Sequence, residues 1–96
     1  MRVTFNELAE RELNEAAQYY EQEQPGLGVA FLAEISGTVE RLTEHPEAGT
    51  KLLRTVRRRL CRRFPYAVLY EIKPTEIRIL AIMNLRRRPG YWVGRR

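Results

Sequence analysis

The chain has 96 residues, 44% of them hydrophobic, and this predicts a single compact domain over residues 1–96. One histidine, one cysteine (Cys61) and no aspartate exclude an internal disulfide and leave too few ligands for a recognisable metal site, so we predict neither metal nor cofactor. No apolar run approaches the roughly 20 residues of a membrane span and no signal-peptide pattern is visible, so we expect a cytoplasmic protein without a membrane partner.

The net charge of +5 is unevenly distributed along the chain. Residues 1–50 carry three arginines and ten glutamates, a balance of 3 − 10 = −7, whereas residues 51–96 carry fourteen lysines and arginines against two glutamates, a balance of +12. This asymmetry favours a C-terminal half that meets an anionic partner, either a nucleic-acid backbone or an acidic protein. A solvated basic surface without a partner is the alternative.

The N-terminal half is predicted to contain one short strand and two helices. Residues 2–5 alternate as a strand does, and Thr4 or Asn6 could cap the helix that follows over about 6–23. After the break "QPGLG", a second helix is predicted over about 28–44, ending at His45, which we interpret as a capping residue. Helices joined by so short a link should form an antiparallel hairpin.

The C-terminal half changes to a period of two residues and predicts three strands, over about 54–62, 66–72 and 77–83. Tyr66, Val68, Tyr70 and Ile72 should share one face, and the last strand is apolar on both faces apart from Arg78, which favours a central position. The predicted fold is therefore α+β: an N-terminal strand and an antiparallel helical hairpin packed on one face of a mainly antiparallel four-stranded sheet, in the order β-α-α-β-β-β.

Arginines cluster at 57–59, 62–63 and 86–88, and the last group is followed by Tyr91 and Trp92. If the strands at 54–62 and 77–83 are neighbours, these clusters merge into one basic surface, with aromatic rings beside it for stacking on bases. Alternatively, both aromatic residues fold back to close the edge of the core while the arginines remain solvated. For Trp92 we favour this second interpretation, because tryptophan is highly buried on average. We interpret Cys61, within the basic strand, as structural.

Four segments, in this order, resemble the RelE/ParE superfamily of toxins from bacterial type II toxin–antitoxin modules: "ELNEAAQYYEQEQPGLGVAFLAEI", "HPEAG", "RRFPYAVLYEI" and "IRILAIMNLRRRPGYW". The resemblance covers nearly the whole chain, from about residue 5 to residue 92. It implies the same fold, a cognate acidic antitoxin that wraps the toxin in a hetero-oligomer, and one of two targets. RelE-like members cleave messenger RNA on the ribosome without a metal, and ParE-like members poison DNA gyrase.

The resemblance also implies roles for individual residues. For RNA cleavage, arginines would stabilise the charged transition state and a tyrosine would transfer a proton. The predicted catalytic residues are Arg58, Arg86, Arg87 and Tyr91. The predicted target-binding residues surround them: Arg57, Arg59, Arg62, Arg63, Asn84, Arg88 and Trp92.

Two departures from the superfamily pattern bear on the target. Asn84 stands where close relatives carry histidine, and an amide cannot exchange a proton near neutral pH. Ala67 follows Tyr66, where ribosome-dependent members tend to carry an arginine shortly after this tyrosine. Three hypotheses remain: a ribosome-dependent endoribonuclease, which the arginine–aromatic tail slightly favours; a gyrase inhibitor that acts by binding; and a homologue that only binds its antitoxin.

Overall fold

A computed structural model of the chain describes all residues, 1–96. Strand β1 (Arg2–Phe5) is followed by helices α1 (Glu7–Glu23) and α2 (Leu27–Glu44), and a 3-10 turn at Pro46–Ala48 leads to the remaining strands. These are β2 (Thr50–Lys51), β3 (Val56–Leu60), β4 (Tyr66–Ile72) and β5 (Glu76–Asn84). Neither helix has both the length and the apolar composition needed to cross a membrane.

Short-range contacts fix the helical hairpin. Asn6, and not Thr4, caps α1, because its side-chain oxygen accepts a hydrogen bond from the Leu8 N–H at 2.7 Å. The two helices meet at Gly28, where a Cβ would lie 2.5 Å from the carbonyl oxygen of Ala17, so only glycine permits this approach. His45 ends α2 at the predicted position, but the cap contact comes from its backbone N–H, which donates to the Arg41 carbonyl oxygen, and not from the side chain on which the prediction rested.

The sheet has five strands in the order β1-β5-β4-β3-β2, and β1 pairs with β5 in parallel whereas all other pairs are antiparallel. The α+β class, the element order and the interior position of β5 are confirmed. The count of four strands missed β2, because two residues are too few to show a period. The assumed pairing of β3 with β5 is wrong, since β4 lies between them.

The helical hairpin packs on one face of the sheet, which we call the helix face. Tyr66, Val68, Tyr70 and Ile72 lie there, as the alternation predicted. Rings of both helices and of the β3–β4 turn interlock with this face: Tyr20, Phe31, Phe64 and Tyr66 lie with centroids 4.9 to 6.2 Å apart. Such aromatic packing anchors α1 and α2 against the end of the sheet at which β4 begins.

The opposite face, which we call the open face, has a smaller core of its own. A register shift in the β4–β5 pair places Leu69 opposite Ala81, and both Leu80 and Ala81 are buried on this face. No helix covers it. Instead the chain returns after β5 and inserts Trp92, which is 7% exposed, into the same cluster. The C-terminal segment therefore takes the place of a covering helix.

Candidate functional site

The functional candidates near the end of the chain are arranged by the turn that leaves β5. The side-chain oxygen of Asn84 accepts a hydrogen bond from the Arg86 N–H at 2.9 Å, and its backbone oxygen accepts one from the Arg87 N–H at 3.0 Å. Asn84 thus shapes this turn. Gly90, with φ of 81°, then reverses the chain, which brings Tyr91 back toward α1.

A cavity of about 250 Å³ lies at this turn, between α1, the ends of β4 and β5, and the C-terminal segment. We call it the tyrosine pocket, because three tyrosine side chains contribute to its wall. Its lining residues are Glu12, Glu15, Ala16, Tyr19, Tyr66, Ile82, Asn84, Arg87 and Tyr91. Three of the predicted site residues, Asn84, Arg87 and Tyr91, are therefore brought together.

Glu12 of α1 organises the pocket, and the sequence analysis missed it. Its carboxylate accepts hydrogen bonds from the Tyr91 hydroxyl at 2.8 Å, from both terminal nitrogens of Arg95 at 2.9 and 3.0 Å, and from the Ile82 N–H at 3.1 Å. That N–H lies beyond the end of β1, on the side of β5 away from β4, where no strand pairs with it. A signal was present, because Glu12 is three residues after Ala9 and four before Ala16, both on the buried stripe of α1.

Tyr91 is held firmly and keeps its proton. Burial and the hydrogen bond to Glu12 raise the pKa of Tyr91 well above its usual value near 10. Two guanidinium groups stack on its ring, with the Arg87 carbon 4.1 Å and the Arg95 carbon 4.9 Å from the ring centroid. At neutral pH Tyr91 is therefore not a proton acceptor, and its proton is already donated to Glu12; the amide of Asn84 exchanges no proton either.

The three arginines of the turn remain free to bind. Arg86, Arg87 and Arg88 are exposed, and none of them forms one of the ion pairs within 4 Å that the structure contains. Hydrogen bonds from the Arg86 and Arg87 N–H groups to Asn84 hold the start of this turn, while the three side chains face solvent. Together they present three positive charges beside the tyrosine pocket.

The arginines of β3 are divided between the two faces of the sheet. Arg57 pairs across from Tyr70 and Arg59 from Val68, which places both on the helix face, whereas Arg58 lies opposite Leu69 on the open face. Arg57 donates to the carbonyl oxygens of Glu47 and Gly49, at 2.8 and 3.1 Å. The Nε atom of Arg58 is shielded from solvent without a hydrogen-bond partner. These three side chains do not form one surface.

Arg62 and Arg63, in the turn after β3, leave the same end of the sheet as the arginines after β5. Leu60, at the end of β3, pairs with Ala67, and Asn84, at the end of β5, pairs with Tyr66. Both strands therefore end beside the start of β4, one on each side of it, so their exits are two strand spacings, or about 10 Å, apart. The basic surface therefore consists of the arginines at these two strand exits: Arg62, Arg63, Arg86, Arg87 and Arg88. Trp92 is not part of it, because its ring is buried in the open-face core.

The comparisons with known proteins agree with this architecture. A family described as the ParE toxin of the type II toxin–antitoxin system parDE matches residues 3–89. The chain belongs to the ParE family of toxins of type II toxin–antitoxin systems. This confirms the predicted membership of the RelE/ParE superfamily.

A solved structure supports the ParE fold of the chain. A chain in the structure titled "Chromosomal ParDE TA system from P. aeruginosa" superposes with a TM-score of 0.77 and 22% sequence identity, over 88% of this chain and 95% of that one. No curated protein sequence matches significantly. At this identity the likeness extends to the fold, and the target must be argued from the site.

Proposed function

We propose that this ParE-family toxin arrests growth by binding DNA gyrase, without cleaving RNA. The observation that carries the proposal is the hydrogen bond from the Tyr91 hydroxyl to Glu12 at 2.8 Å. It commits the predicted proton-transfer tyrosine to a structural contact and raises its pKa. The gyrase target itself comes from the family, whose ParE-like members act on that enzyme.

The geometry of the tyrosine pocket argues against RNA cleavage. Attack of a ribose hydroxyl on its own phosphate needs a proton acceptor, a proton donor and cations around a dianionic intermediate. The pocket supplies a cation in Arg87, but it also contains the carboxylates of Glu12 and Glu15. Arg95 balances the charge of Glu12, but the Glu15 carboxylate forms no ion pair, and beside the phosphate it would oppose the charge that develops there. The sequence alone slightly favoured RNA cleavage. The hydrogen bond between Tyr91 and Glu12 leads us to favour binding instead.

The exposed arginines suit binding. A guanidinium makes bidentate hydrogen bonds to carboxylates and stacks on aromatic rings, so Arg86, Arg87 and Arg88 can grip an acidic protein surface. Their exposure means that contact with a target requires no change in the fold. We propose that a cognate acidic antitoxin neutralises the toxin in a cytoplasmic hetero-oligomer. The balance of +12 over residues 51–96 and the structural likeness to a ParDE system support this partner.

A supercoiling assay with purified gyrase tests the proposal. The variant Arg86→Ala with Arg87→Ala should lose inhibition and growth arrest while its melting temperature stays within a few degrees of wild type, because exposed substitutions usually cost under about 0.5 kcal/mol. The control Arg2→Ala with Arg11→Ala removes two other exposed arginines and should inhibit as the wild type does.

Three results would count against the proposal. Full inhibition by the arginine variant would remove the turn after β5 from the interface. Ribosome-dependent cleavage of messenger RNA without inhibition of supercoiling would establish the endoribonuclease hypothesis. Silence in both assays, with tight binding of the protein encoded by the adjacent gene, would establish an antitoxin-binding homologue.

A further inference from the structure

Glu12 makes more contacts than the closure of a sheet edge requires. One acceptor would satisfy the Ile82 N–H, yet the carboxylate also holds Arg95 through two nitrogens and Tyr91 through its hydroxyl. We infer that Glu12 is a positioning residue that orients Arg87 for target binding by anchoring the ring on which Arg87 stacks. This inference rests on the proposed function, in which Arg87 contacts the target.

The first link is the attachment of Tyr91 to rigid elements. Glu12 belongs to a 17-residue helix packed on the sheet, and its side chain is only 17% exposed. The Ile82 N–H and one nitrogen of Arg95 hold Oε1, and the other nitrogen of Arg95 holds Oε2, which is the oxygen that accepts from the Tyr91 hydroxyl. A phenol bonded to a fixed carboxylate has its ring orientation determined, because only two side-chain torsions remain.

The second link is the stacking of Arg87 on that ring. The guanidinium carbon lies 4.1 Å from the ring centroid, whereas Arg86 and Arg88 have no such aromatic contact. Arginine loses considerable side-chain entropy when it is immobilised, so a guanidinium that is already stacked gives up less freedom on binding. Removal of the hydroxyl would leave the ring in place but release it from Glu12.

The third link is charge. The ion pair between Glu12 and Arg95, at 2.9 Å, balances the carboxylate, so Glu12 does not need Arg87 as a partner. Arg87 is held through an uncharged ring and keeps a positive charge directed to solvent. A direct Glu12–Arg87 pair would order the same guanidinium but would occupy the donors that a target needs.

A double-mutant cycle in the gyrase supercoiling assay tests the inference. The four proteins are the wild type, Tyr91→Phe, Arg87→Ala and the double variant. Tyr91→Phe should raise the concentration for half-inhibition about threefold to tenfold in the wild-type background but less than twofold when Arg87 is already alanine. If Arg87→Ala alone abolishes inhibition, Arg87→Lys replaces it, because an ammonium lacks the planar stacking surface. A purely structural role would weaken both backgrounds equally.

A matched pair on α1 tests Glu12 itself. Glu12→Gln should weaken inhibition as Tyr91→Phe does, whereas Glu10→Gln, at an exposed position of the same helix, should leave it unchanged. Equal loss from Tyr91→Phe in both backgrounds, or no loss in the wild type, overturns the inference. If wild-type toxin fails to inhibit gyrase, the proposed function fails instead. The same four proteins are then compared by growth arrest in cells. If the effect of Tyr91→Phe on growth arrest depends on the presence of Arg87, the inference is supported; if the effect is the same without Arg87, the inference is overturned.

Discussion

Replacement of Trp92 by alanine tests whether the open face of the sheet is a true core. The side chain packs with Val56, Leu69 and Leu80 and is 7% exposed. A tryptophan buries about 200 Å², and at about 25 cal/mol per Å² this corresponds to an upper bound of about 5 kcal/mol. Tryptophan-to-alanine changes in cores cost about 3–5 kcal/mol, which is a large part of the stability of a domain this small.

The assay is thermal unfolding followed by circular dichroism. We expect Trp92→Ala to melt more than about 10 °C below the wild type, since each kcal/mol shifts the midpoint of a domain of this size by about 4–8 °C. The neighbouring control Val93→Ala, at a residue that is 55% exposed, should change the midpoint by only a few degrees. If Trp92→Ala melts with the wild type but no longer arrests growth, the ring belongs to the target surface and the reasoning is refuted.

Three further predictions concern folding and pH. Leu80→Asp should prevent folding, because it buries an unpaired charge in the open-face core; a cooperative melt would contradict this. Burial and Glu12 raise the pKa of Tyr91, so the unfolded chain loses this proton at a lower pH than the folded chain, and the free energy of unfolding should fall as the pH rises above about 10. The melting temperature of Tyr91→Phe should therefore fall less steeply with pH. An unchanged slope would count against the contact. A hydrogen bond from Thr55, with Lys73 nearby, lowers the pKa of Glu71, so the stability that this carboxylate contributes is present at neutral pH and lost as the pH falls below about 4.5. Glu71→Gln should therefore lose less stability on acidification than the wild type. An equally steep loss would exclude this role.

The elements with strong periodicity could be predicted from the sequence. Apolar spacing located both helices, and the alternation over 66–72 gave the correct faces of β4. The short β2 could not be recognised, and the parallel pairing of β1 with β5 depends on contacts more than 70 residues apart in the chain. Strand order is a tertiary property, so the assumption that β3 and β5 are neighbours could not be checked from the sequence, and it does not hold.

Residues of the candidate site could be predicted from the sequence better than the contacts between them. Asn84, Arg87 and Tyr91 were chosen by their positions after the last strand, and the structure brings them into one pocket. Tyr91 is held by Glu12, which forms an ion pair with Arg95, 83 positions away, and one glutamate among the ten of residues 1–50 cannot be singled out by pattern alone. The division of the β3 arginines follows from alternation, but which face was open could be known only from the fold.

The central claim is that the toxin acts by binding and not by cleavage, and one paired measurement tests it most directly. A single preparation is titrated into a gyrase supercoiling reaction and into a reconstituted translation reaction in which messenger RNA ends are mapped by primer extension. The account predicts that supercoiling stops while the messenger RNA stays intact at every toxin concentration. New RNA ends that appear only when ribosomes are present, with supercoiling unaffected, would contradict it.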